Sequence, residues 1–321
     1  MSTLCSSSSI VIVYLWCGVT RVAYSARQVA VIPMQSSKIL WRQRMRIVGI
    51  SVVVASLLSS CMTKDSVHDL ASPAQKYGLI FTATEWLPED NHDPSGHYAG
   101  WIQTVRVAQS MQRAGVPAQN LRLLYYDGQS RCEVPILPAG HCQHLPLIAP
   151  ATNANLESAF TEYCRILRPK DQLLVHLSSH GERSGILRGD LGETLGASTV
   201  SNWLQRVQAQ TVVVIDACHA GAFIKRMPRL TNPVIGTALD NELGWVDRHG
   251  SFGPAFFPHL RSSQGMSLDA GSVRMAFEHA SEQYRWHGRQ QRWYIEHRFD
   301  GQGLPADQLA QLTFTPVLFI P

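Results

Sequence analysis

Apolar positions along the chain alternate between short unbroken runs and stripes at helical spacing. Residues 77–84 (YGLIFTAT) form a run of the kind a buried strand needs. Residues 96–115 (GHYAGWIQTVRVAQSMQRAG) put Trp101, Val105, Ala108 and Met111 on one helical face, and Gly115 supplies a stop. A second apolar run, 120–128 (NLRLLYYDG), ends in a turn and is followed by a Pro- and Cys-containing loop over 129–150. A second helix is predicted over 155–167, capped near Thr152 or Asn153. Residues 171–181 (DQLLVHLSSHG) predict a third strand, 197–208 (ASTVSNWLQRVQ) a third helix and 210–221 (QTVVVIDACHAG) a fourth strand. Strands separated by helices predict an α/β fold with a mainly parallel sheet and helices on both faces. Residues 281–300 are rich in Arg, His and aromatic side chains. They read as a solvated helix or strand with its arginine stems laid along the surface, rather than as a basic-aromatic binding patch.

Charge changes the picture at the N-terminus. Residues 1–60 hold six of the 28 basic residues and none of the 24 acidic ones, so the formal charge of +4 arises there. The remainder, 22 basic against 24 acidic, has no electrostatic footprint for nucleic acid. The segment starting at Met45 (MRIVGISVVVASLLSSC) has a basic start, an apolar stretch from Ile47 to Leu58 and small residues before Cys61. It is short for a membrane span and has the order of a secretory signal. Leu58-Ser59-Ser60-Cys61 resembles a bacterial lipobox, in which the cysteine is lipidated. The expected organisation is an upstream extension over 1–44 with translation starting at Met45, a signal peptide over 45–60, a polar tether over 61–76 and a folded domain over 77–321. Lipid on Cys61 would anchor the chain to the cell envelope. Met62, which follows it, implies the outer membrane by resemblance to proteobacterial lipoproteins, with the domain facing the periplasm.

In an oxidising compartment Cys132 and Cys142, which bracket a Pro/Gly-containing loop, are expected to form a disulfide. His141 and His144 lie beside them, but no second ligand pair repeats the spacing, so neither metal nor cofactor is expected. Cys164 falls in a helical pattern and reads as core. Cys218 differs. Ligands of parallel sheets collect beyond the carboxyl ends of the strands, and two of the predicted strands end in reactive side chains. One ends in His180-Gly181 and the next in Cys218. A thiol of pKa near about 8.5 is little ionised at neutral pH, and an imidazole within reach can accept its proton. Gly181 offers an unhindered N–H that, with the N–H of Cys218, can form an oxyanion hole. His176, four residues before His180, reads as a satisfied buried histidine, and His219 as pointing away along the turn. His92 reads as a solvated loop residue, whereas His97 reads equally as solvated or as approaching the site.

His-Gly after one strand and Asp216-Ala217-Cys218-His219-Ala220-Gly221 after the next resemble the legumain-like cysteine peptidases of the C13 family. Residues 97–128 resemble that family's first helix and second strand, and 237–245 with 251–260 resemble the segment walling its substrate pocket. The resemblance spans roughly residues 77–285 and implies a caspase-like three-layer sandwich. It implies His180 as general base and acid, Cys218 as nucleophile, and Gly181 and Cys218 as oxyanion donors. Asp216, Asp240 and His97 would be substrate-binding residues. Where the family carries an Arg-His pair this chain reads Gly96-His97, which points away from asparagine and toward a basic or small polar residue before the scissile bond. The implied function is an envelope-anchored cysteine endopeptidase acting on protein or peptide substrates through a thioester. The alternatives are a transamidase, in which an amine captures that thioester, and an inactive caspase-fold lipoprotein that binds peptides or envelope components. A redox thiol protein is disfavoured because Cys218 has no C-x-x-C partner. Oligomeric state is not legible.

Overall fold

The computed structural model describes residues 72–85, 99–133, 142, 144–244, 251–262, 265–298, 310 and 313–321. The chain divides into Met1–Ser72 and Pro73–Pro321. The signal-like segment and Cys61 lie outside the described residues, as do His92 and His97. Among the described residues no helix is long and apolar enough to cross a membrane.

Strand β1 (Lys76–Thr82) leads to helix α1 (Ala99–Arg113), β2 (Leu121–Tyr125) and a two-residue β3 (Ile148–Ala149). Helix α2 (Asn153–Ile166) precedes β4 (Gln172–Ser178), and β5 (His180–Gly181), β6 (Ile186–Arg188) and β7 (Thr194–Gly196) form a small separate sheet. Next come α3 (Ala197–Arg206), β8 (Gln210–Asp216), α4 (Ala220–Lys225), β9 (Val234–Gly236) and α5 (Phe252–Phe256). A short ladder of β10 (Arg261–Ser262) and β11 (Gly265–Met266), helix α6 (Ala270–Arg298) and β12 (Val317–Phe319) complete the described elements.

The main sheet has the order β12-β9-β8-β4-β1-β2-β3, parallel throughout except for β12 against β9. Its central strands are mainly apolar on both sides because both faces are covered. Leu173, Val175, Leu177, Val213 and Ile215 pack against Phe160 of α2, Trp203 of α3 and Phe223 of α4. On the opposite face Ile80, Leu174, Val212 and Val214 meet Met111 of α1, Phe252 and Phe256 of α5, and Ala276 and Tyr284 of α6. Two cores, one on each face of one sheet, make the three-layer sandwich. Each large side chain buried in them contributes about 1.5–3 kcal/mol. The strand order reverses between β1 and β4, so the carboxyl ends of those two strands flank the crevice where ligands of such sheets bind.

Thr152 is the cap of α2: its side chain accepts from the Asn155 N–H at 3.2 Å. The predicted third strand breaks at Ser179, because His180-Gly181 leaves the main sheet to pair with Arg188 and Leu187 of β6. The Arg- and aromatic-rich segment continues as α6, with Ser281 and Tyr284 buried and Trp286 half exposed.

Candidate active site

The register of β4 and β8 sets the site. Ser178 pairs with Asp216 on the last shared rung, and the Ser179 N–H reaches the Asp216 carbonyl at 3.4 Å. His180 and Cys218 each lie two residues past that rung, so an imidazole and a thiol follow the ends of neighbouring strands. Gly181 closes the gap between them. A Cβ there would stand 1.7 Å from the Cys218 carbonyl oxygen and 2.8 Å from its carbon. Only glycine permits that backbone approach. Gly244 backs Cys218 on its other side, where a Cβ would lie 2.8 Å from the Ala217 carbonyl oxygen.

Cys218 is half-buried and its thiol donates to the Gly244 carbonyl at 3.5 Å. Burial is the largest influence on the thiol and pushes its pKa up, and backbone hydrogen bonds at Gly244, Cys218 and Gly181 only partly offset it. A thiol held neutral in this way needs a base. His180, on the neighbouring strand end, is a candidate: its side chain is 46% exposed and its Nε2 lies 2.9 Å from Asp190 Oδ1.

After Cys218 the chain turns sharply through His219, which adopts a left-handed conformation at φ 52°. Its N–H donates to the Glu242 carbonyl at 2.8 Å and its ring Nδ1 sits 3.2 Å from the Asp240 carbonyl. Burial and then the charge of Arg183 hold its pKa down. The Asp240 carboxylate is taken by Lys225 Nζ at 2.6 Å, on the exposed side of α4. That bond holds the carboxyl below its ordinary range.

Asp216 is 1% exposed and faces the α1 side of the sheet. Its Oδ2 accepts from Gln103 Nε2 at 2.8 Å, and Gln103 Oε1 accepts from Ser178 Oγ at 2.8 Å. His176, fully buried, has Nε2 3.5 Å from the same carboxylate. Neither ring nitrogen of His176 nor Oδ1 of Asp216 has a hydrogen-bond partner among the described residues. The histidine is therefore buried, but it is not satisfied in the way the sequence suggests. The structure groups Asp216 with Gln103, Ser178 and His176 beneath the strand ends, and places the Asp240 backbone beside His219 with its carboxylate turned to Lys225.

Cys132 and Cys142 form a disulfide with Cα atoms 5.8 Å apart. Cys164 is only partly buried, at the margin of the core. Sequence reasoning passes over Asp190. A Gly-Asp-Leu-Gly turn ten residues after His180 is the one signal there, and it marks a bend, not the residue the bend approaches.

No curated protein matches the chain. Among solved structures the chain is similar to a secreted C11 cysteine protease from Bacteroides thetaiotaomicron bound to an irreversible peptide inhibitor, at 14% identity and TM-score 0.38, covering 66% of this chain and 59% of that one. It is also similar to Chaetomium thermophilum Raptor, at 9% identity and TM-score 0.36, covering 75% of this chain and 24% of that one. The chain thus spans less than two thirds of the length of either. A family match falls on the part of the chain that carries the two reactive strand ends and supports a cysteine peptidase: residues 160–299 match the Peptidase C13 family.

Proposed function

We propose that the protein is a cysteine endopeptidase working through a dyad of Cys218 and His180. The observation that carries the reading is the shared rung Ser178–Asp216, with base and nucleophile two residues beyond it and Gly181 packed without a Cβ against the nucleophile's own peptide. With Nε2 of His180 facing Asp190, Nδ1 is the nitrogen that takes the thiol proton as the sulfur attacks the scissile carbonyl. The N–H groups of Gly181 and Cys218 receive the developing oxyanion, each worth roughly 3–4 kcal/mol at the transition state. His180 then protonates the leaving amine. Water, deprotonated by the same imidazole, hydrolyses the thioester and restores the thiol.

The substrate is a protein or peptide. Reading of the residue before the scissile bond by Asp216 requires that residue to displace Gln103 from the carboxylate, because Gln103 occupies it at 2.8 Å. The signal-like segment and the lipobox resemblance support anchoring through Cys61 to the bacterial envelope, with the domain facing the periplasm.

The test uses residues 62–321 as a soluble protein, treated with a peptide acyloxymethyl-ketone library. Selective modification of Cys218 that disappears in His180→Ala is the expected result. Modification unchanged by His180→Ala would remove the dyad. Screening the residue before the scissile bond in the same library, with Asp216→Asn alongside, reads the pocket.

A further inference from the structure

Asp190 sits in the turn joining β6 to β7, which folds back over the carboxyl end of β1. Several contacts hold it. Its N–H donates to the Ala83 carbonyl at 3.0 Å, its Oδ2 accepts from the Glu85 N–H at 2.8 Å, and its Oδ1 lies 2.9 Å from His180 Nε2. Gly189 lets the turn lie close: a Cβ there would be 3.1 Å from the Ala83 Cβ and 3.3 Å from its carbonyl oxygen. Glu85 is itself held. Its Oε1 accepts from Arg131 Nε at 2.8 Å, and Arg131 also reaches Asp127 at 2.9 Å. Arg131 adjoins Cys132, one end of the disulfide. The carboxylate therefore rests on a braced support and divides its oxygens, one to the scaffold and one to the imidazole.

We propose that Asp190 is a positioning residue for His180, fixing the proton of the neutral ring on Nε2 and turning Nδ1 to the thiol. A carboxylate accepts only, so the nitrogen facing it must carry the hydrogen. When the ring takes the Cys218 proton, the same carboxylate faces the new positive charge. The His180–Asp190 contact is 46% and 26% exposed on its two sides, and contacts so solvated add little to stability. Loss of the pairing with His180 alone, as in Asp190→Asn, should therefore appear in rate and tautomer, not in melting temperature.

This inference rests on the dyad proposed above, and the experiment separates the two. Inactivation by a peptide acyloxymethyl ketone is timed for the wild type, His180→Ala, Asp190→Asn, Asp190→Ala and Asp190→Glu, with the His180 ring nitrogens followed by ¹⁵N NMR. Inactivation of the wild type that is abolished in His180→Ala is expected. A fall of about 10- to 100-fold in Asp190→Asn and Asp190→Ala, partial recovery in Asp190→Glu, and a shift of the ring away from the Nε2–H form complete the expected pattern. Asp190→Asn keeps an acceptor for the Glu85 N–H, so the turn stays docked even if Asp190→Ala loosens it. Inactivation within threefold of wild type in Asp190→Asn, with the tautomer unmoved, overturns the positioning role and leaves the dyad intact. Inactivation that survives in His180→Ala overturns both.

Discussion

Gly181→Ala is the sharpest perturbation this site offers. The added methyl would stand 1.7 Å from the Cys218 carbonyl oxygen, and real contacts of this kind begin near 3.0 Å. The two strand ends must therefore part by about 1.3 Å, and both sides of the contact are backbone, which no side-chain rotation relieves. Overpacking of this kind costs about 1–3 kcal/mol. In a folded unit of this size that lowers the melting temperature by roughly 2–4 °C for each kcal/mol. On the proposed mechanism the effect on catalysis is larger, because the same movement displaces an oxyanion donor and the nucleophile relative to each other. Loss of one such donor costs about 10²–10³ in kcat, and a misplacement near 1 Å costs about 10². The assay is kcat and KM on a fluorogenic peptide chosen from the library, with melting followed by circular dichroism. Gly196→Ala is the control, since a Cβ there meets only Thr199 Oγ1 at 3.8 Å and the backbone φ is −83°. Gly181→Ala with kcat within threefold of wild type would falsify the close-approach argument.

Three further outcomes follow from other parts of the molecule. The Asp171 carboxylate, 1% exposed, accepts from the N–H of Gln75 and from Arg168 through both its backbone and guanidinium; burial pushes its pKa up, but these bonds win and hold it below the ordinary range. Its stabilising effect is thus present above about pH 4 and fades as pH falls through the depressed value, so Asp171→Asn should cost about 1.5–3 kcal/mol in urea unfolding at pH 7 and progressively less below pH 4. Replacing both Cys132 and Cys142 with Ser should cost about 2–4 kcal/mol, and dithiothreitol should lower the melting temperature of the wild type but not of the double variant. Because burial pushes the Cys218 thiol up, its alkylation by iodoacetamide in the absence of peptide should keep climbing with pH above about 8.5; a plateau reached by pH 7 would show a preformed thiolate instead.

The sequence announces its long elements well and its short ones hardly at all. Strands β1, β2, β4 and β8 are mainly apolar runs because both of their faces are largely buried, so they stand out without any alternation. Strands β3, β9 and β12 have two or three residues each, too few to show a period. They exist because the sheet offers them an edge, and that offer is a tertiary fact. The break between β4 and β5 is hidden for the same reason: nothing in SSHG says that its second half pairs with Arg188 and Leu187. His180, Gly181 and Cys218 draw notice in the sequence because each lies just beyond an apolar run. Asp190 does not, since its importance comes from a turn folding onto a strand that ended more than a hundred residues earlier. The acid Asp216 is plain in the sequence, yet its engagement by Gln103, 113 residues away, is not.

The pairing of β12 with β9 has a consequence for biosynthesis. Residues 317–319 cover the backbone of residues 234–236, about 80 positions upstream. At roughly 5–20 residues per second, β9 emerges from the ribosome some 4–16 s before its partner exists. During that interval its outer N–H and C=O groups form an open sheet edge, the kind of template on which chains aggregate. At three residues β9 is among the shortest strands of the sheet, and that brevity limits how much of another chain it can capture while it waits.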